Sequence, residues 1–126
     1  MQDADKRQAV LDKALHALDG KIVFVEGKHD EDALEELGVQ AHIVRAHGVP
    51  LRVAEKHKDA CLKQQCVLLF DFDDEGKRKT QVFTELLQSL GVNPLQAVRQ
   101  GIRKVFGCRT VEDLPARYRL LLSSQR

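Results

Sequence analysis

The chain has 126 residues, and its 20 Lys and Arg nearly balance 19 Asp and Glu for a net charge of +1. That length suits a single domain over 1–126 and is too short for two, while the near-neutral balance excludes capture of nucleic acid by bulk charge alone. No apolar stretch approaches the roughly 20 residues that span a bilayer, and the charged N-terminus is unlike a signal sequence, so a cytoplasmic protein with no membrane partner is expected.

Residues 4–18 carry Val10, Leu11, Ala14, Leu15 and Leu18 at helical spacing, and Asp19-Gly20 reads as a stop. Ile22-Val23-Phe24-Val25 then predicts a strand over 22–26 that ends in Glu26-Gly27-Lys28-His29-Asp30, followed by a helix from about 30 to 37. A second strand is expected over 41–45, and Gly48-Val49-Pro50 opens a helix to about 60, where Pro50 suits the first turn. The run Val67-Leu68-Leu69-Phe70 predicts a parallel strand over 67–71 covered on both faces. It feeds a helix from about 75 to 90 with an apolar stripe of Val82, Phe83, Leu86, Leu87 and Leu90.

Strands alternating with helices imply an α/β fold with a parallel sheet and right-handed crossovers. After Gly91-Val92-Asn93-Pro94, another helix should turn Leu95, Val98, Ile102 and Val105 toward the domain and leave Arg99, Arg103 and Lys104 as a basic rim. Asp113-Leu114-Pro115 interrupts the chain before a last basic segment with Arg117, Tyr118 and Arg119. The core is therefore expected over about 20–92, with a basic helical extension over about 93–126.

The chemistry concentrates at strand ends. Asp71 and Asp73 close the third apolar run, and alternation along a strand places both on one face. Like charges about 4 Å apart repel by roughly 4 kcal/mol at an effective dielectric of about 20, and a divalent cation relieves this. Glu26 ends the first strand, and ligands of open α/β sheets collect at carboxyl strand ends, so Glu26 can converge on the aspartates. Oxygen ligands alone suit Mg²⁺ or Mn²⁺ and not Zn²⁺. Lys77, Arg78 and Lys79 occupy the first turns of the following helix, where cations oppose the helix dipole; such placement beside an acidic site suggests phosphate contact, the alternative being a solvated basic turn paired with Asp74 and Glu75.

Glu26-Gly27-Lys28-x-Asp30 after one strand, Gly48 after a second and Asp71-x-Asp73-x-x-Gly76 after a third together resemble the Toprim domain. That domain is shared by type IA topoisomerases, bacterial primases, overcoming-lysogenization-type nucleases and the ribonuclease that matures small ribosomal RNA. The likeness is strongest to small stand-alone archaeal Toprim proteins, which carry a similar Asp-Phe-Asp-x-x-Gly-basic-basic run and basic tail. It implies a Rossmann-like domain with a three- to four-stranded, mainly parallel sheet flanked by helices, although the fourth strand has no clear place in this tail. It also implies that Glu26, Asp71 and Asp73 are both metal-binding and catalytic, that Gly76 lets the backbone turn closely beside the metal, and that Lys28, Lys77 and Arg78 contact phosphate.

Departures narrow the activity. Lys77 follows the motif glycine where type IA topoisomerases carry an acid, and Tyr118 is the only tyrosine, so strand passage is not expected. No zinc region or polymerising subdomain fits in this length, which argues against primase action. An EF-hand loop starting at Asp71 would need Glu where Val82 stands. A haloacid-dehalogenase motif would want Thr or Val at Glu75, and a receiver domain would need an acidic pair where Gly27 follows Glu26. Cys61, Cys66 and Cys108 lack metal or disulfide spacing and read as buried or half-buried thiols.

Two functions remain. One is a Mg²⁺-dependent enzyme acting on phosphodiesters, an RNA-directed nuclease or nucleotidyl-transfer enzyme, with Mn²⁺ as a possible substitute. The other is a non-catalytic or weakly catalytic metal-binding RNA module within a larger complex. Both favour RNA over DNA, and both leave room for an RNA-processing protein partner.

Overall fold

The computed structural model describes residues 3–123. In chain order the elements are α1 (Asp3–His16), β1 (Ile22–Val25), α2 (Lys28–Glu36), β2 (His42–Arg45), α3 (Pro50–Lys63), β3 (Cys66–Leu68), α4 (Asp74–Ser89), α5 (Gln96–Phe106) and α6 (Leu114–Ser123). The three strands form a parallel sheet in the order β2-β1-β3. Ile22 lies opposite both His42 and Cys66, and Phe24 opposite both Val44 and Leu68.

Alternation along the strands builds two cores. Val23, Val25, Val67 and Leu69 pack with Leu11 and Leu15 of α1, Leu34 of α2, and Ile102 and Phe106 of α5. On the opposite face, Ile22, Phe24, Cys66, Leu68 and Phe70 pack with Val53 and Cys61 of α3 and Phe83 and Leu87 of α4. Helices therefore cover both sides of a sheet whose central strand is buried throughout, as parallel strands require. At the edge, β2 buries only Val44 and exposes His42 and Arg45, a polar edge that discourages further strand pairing. Of the expected stripes, Val10 and Val82 instead face solvent.

The third strand is shorter than its apolar run predicts. Leu69 N still donates to Phe24 O at 2.8 Å, but β1 then turns through Glu26-Gly27 into α2. Residues beyond Leu69 have no strand left to pair with, so the chain leaves the sheet before Asp71. Among the described residues the tail adds helices and no fourth strand. Its loop nevertheless returns to this edge, where Phe72 N donates to Arg109 O at 2.8 Å. The two ends of the chain meet as Tyr118 Oη donates to Asp12 Oδ1 at 2.8 Å. No helix among the described residues is long and apolar enough to cross a membrane.

Candidate metal centre and its basic surround

Because β1 and β3 run parallel side by side, the residues that follow them emerge at one edge. Glu26 Oε2 accepts a hydrogen bond from Asp71 N at 3.0 Å, joining motifs 45 positions apart. Asp71 Oδ1 accepts in turn from Val111 N at 2.9 Å, which ties the C-terminal loop to the site. Asp30 is buried and reaches back to accept from Gly27 N at 3.1 Å, fixing the chain as it enters α2 in the manner of a capping box.

Two of these carboxyls, Asp71 and Asp30, lie above the ordinary range. Burial pushes the Asp71 carboxyl up to about 6, with the charges of Glu26 and Asp30 adding to the rise and the Val111 N–H opposing it. Burial also pushes Asp30 above the usual carboxylate range, reinforced by Glu26 and Glu112 and opposed by the main-chain N–H groups of Gly27 and Glu26. A cation brought beside such acids would favour their ionised forms.

Asp73 has a different task. It caps α4, with its side chain accepting from Gly76 N at 2.8 Å, and a cap of this kind contributes about 1 kcal/mol. Strand alternation does not relate it to Asp71, because the chain has already left the sheet and the intervening Phe72 is buried in the core. Gly76 is forced by packing: a side-chain carbon built on it would fall 1.8 Å from the carbonyl oxygen of Asp71.

Arg99 departs from the expected basic rim. It is only 5% exposed, and its Nη2 donates to Asp71 O at 2.6 Å and more weakly to Phe70 O at 3.4 Å. The guanidinium also lies 5.1 Å from the Phe72 ring centroid, in the range of a cation–π contact. Burial lowers its pKa, Arg103 lowers it further, and Asp71 and Asp73 oppose the shift. The sequence does carry a signal for this burial: Leu95, Arg99, Ile102 and Phe106 repeat at four, three and four residues, one helical face. Arg103 and Lys104 do remain exposed.

The other basic residues divide between solvent and fold. Lys77 and Arg78 are exposed, whereas Lys79 Nζ sits 3.5 Å from Ala46 O and 4.9 Å from the Phe70 ring centroid. Lys28 Nζ pairs with Asp32 at 3.2 Å on the exposed face of α2. His29 Nδ1 lies 3.3 Å from Glu112 Oε1 across the same edge.

Among the described residues, no three His, Cys, Asp or Glu side chains are grouped so as to hold a metal ion as they stand. Mg²⁺ keeps several waters and commonly uses one or two protein carboxylates. The Glu26–Asp71 pair fits that mode; each of the two, like the expected third ligand Asp73, has one oxygen accepting a main-chain N–H.

Over 126 residues the chain is 31% identical to a UPF0292 protein of Thermococcus kodakarensis, across 94% of this chain and 88% of that one. The chain belongs to the UPF0292 family. This UPF0292 protein is also 30% identical over 109 residues to a family member of Pyrococcus abyssi, across 85% and 80% of the two chains. A member from Methanocaldococcus jannaschii is 25% identical over 112 residues, across 87% of this chain and 88% of the relative. No family model matches it. A solved structure of an Aquifex aeolicus protein is similar with a TM-score of 0.62 and 26% identity, covering 86% of this chain and 95% of that one. The shared architecture is an α/β, Rossmann-like arrangement with a small parallel sheet flanked by helices.

Proposed function

We propose that this UPF0292 protein is a Toprim-type, Mg²⁺-dependent protein that acts on nucleic-acid phosphodiesters, as an RNA-directed nuclease or nucleotidyl-transfer enzyme. One observation carries the reading: Glu26 and Asp71, from motifs after different strands, meet at the carboxyl edge of a parallel sheet through a 3.0 Å hydrogen bond. Such an edge is where open α/β sheets bind ligands. Glu26 and Asp71 are the residues to hold Mg²⁺, with Mn²⁺ as a substitute. When bound there, the ion supplies charge neutralisation for a phosphate oxygen.

The chain's own groups prepare that edge. Arg99 donates to the Asp71 carbonyl oxygen and Gly76 packs against the same group, which fixes the main chain that carries the Asp71 carboxylate. Glu26, its position fixed by the Asp71 N–H, shares in holding the ion or accepts the proton of an attacking hydroxyl or water. Exposed Lys77 and Arg78 beside the site, with Lys28 at the start of α2, neutralise and align the backbone phosphates.

A second reading is a metal-binding RNA module of a larger complex with little or no turnover. It is favoured by the engagement of Asp73 as a cap and of Lys28 with Asp32, which leaves fewer groups free for chemistry. Incubating labelled RNA and DNA panels with the protein and Mg²⁺ or Mn²⁺ separates the two. Metal-dependent turnover that is lost in Asp71→Asn supports the enzyme; metal-dependent binding without turnover supports the module. Neither binding nor turnover would overturn both.

A further inference from the structure

Between α4 and α5 lies a cleft of about 330 Å³ that neither the carboxylate edge nor its basic turn accounts for. Its size falls at the lower end of small-ligand sites. Leu68 and Pro94 form a buried floor, Gln81, Gln96 and Gln100 stand exposed around the mouth, and Lys77 and Arg99 also line it. Glu85 is its one acid against these two cations, so the cleft favours an anion.

Arg99 adds buried positive charge to the lining. It is 5% exposed, its Nη2 bonds are to main-chain carbonyls rather than to a carboxylate, and its Nε is buried with no partner among the described residues. Asp71 and Asp73 lie near enough to offset part of the cost of burying this guanidinium. Glutamine amides carry a donor and an acceptor, the combination that complements the edge of a nucleobase; Gln100 Oε1 already accepts from Arg103 Nε at 3.2 Å, so its amide N–H groups are what it brings to the cleft. Leu68, Pro94 and Leu95 supply an apolar surface for the ring. Lys77 belongs both to the cleft and to the first turn of α4, which Asp73 caps beside the carboxylate edge.

We infer that this cleft holds one nucleotide of the strand whose backbone meets Glu26 and Asp71, with its base against the floor and glutamines and its phosphate toward Lys77. The inference rests on the nucleic-acid reading above and adds a base-binding subsite to it.

Titration of the isotope-labelled protein with AMP and UMP, in EDTA so that no metal contributes, tests it by NMR. The side-chain amide signals of Gln81, Gln96 and Gln100 should shift together. Affinity should fall about tenfold in a Gln96→Ala/Gln100→Ala variant, the effect of losing about two neutral hydrogen bonds. Both positions are exposed, so the variant should keep the wild-type circular dichroism spectrum. Unmoved glutamine signals, an unchanged affinity in the folded variant, or equal shifts and affinity with inorganic phosphate alone would each overturn the subsite. Nucleotide binding in EDTA is separable from the metal: RNA turnover without cleft binding defeats only this inference, and cleft binding without metal affinity defeats only the metal reading.

Discussion

Gly76 packs so tightly against the main chain of Asp71 that any side chain at this position would occupy the space of the Asp71 carbonyl. The overlap is with backbone on both sides, so no rotamer change relieves it, and either α4 or the Asp71 loop has to move. Gly76→Ala should therefore destabilise the protein by about 3 kcal/mol or more, among the larger single-residue effects. Denaturant unfolding checks this. A loss no greater than that of an exposed helical alanine substitution would show that α4 shifts freely against the loop.

The metal-free protein should carry a pH signature of its crowded acids. The Asp71 carboxyl is raised from 3.8 to about 6, so between those values the folded chain keeps a proton that the unfolded chain has released. Stability from this group is present at low pH, declines as pH rises through the window, and stays low above it. Asp71→Asn preserves an acceptor for Val111 N while removing the charge. Urea unfolding in EDTA from about pH 4 to about pH 8 should show the variant gaining on wild type as pH rises. Parallel curves would mean that Asp71 titrates normally.

Much of this arrangement was legible in the sequence, for reasons that also mark where legibility ended. Apolar runs at Ile22–Val25 and Val67–Phe70 announce a buried parallel sheet, and the carboxylates that follow them necessarily share an edge. Alternation was the wrong guide to Asp73, because it holds only while a strand has a neighbour, and β1 turns away after Val25. The sequence pattern also assigned Arg99 to the surface by its charge, although its spacing with Leu95, Ile102 and Phe106 put it on the buried face. No local pattern could link Val111 to Asp71, since that hydrogen bond spans 40 positions and depends on where two helices dock.

Arg99 offers a direct test of that correction. Arg99→Ala removes two carbonyl contacts and opens space in a packed layer, and should cost about 2–4 kcal/mol. Arg103→Ala, on the exposed side of the same helix, should change stability by no more than about 0.5 kcal/mol. Equal effects in chemical unfolding would return Arg99 to the surface rim.

Lys77 and Arg78 should govern the electrostatic part of nucleic-acid affinity. If both contact phosphate as proposed, replacing them with Gln should make the slope of log affinity against log salt for single-stranded RNA shallower by about 1.4. Filter binding across a salt series measures it. Identical slopes would reduce this turn to a solvated helix start.

Glu26 and Asp71 are proposed to hold a divalent cation together. Calorimetric titration with Mg²⁺ and Mn²⁺ near neutral pH, on wild type, Glu26→Gln and Asp71→Asn, tests it most directly. Saturable binding is expected in wild type, with affinity about tenfold or more weaker in each variant and folding retained. Equal metal affinity in all three proteins would contradict it.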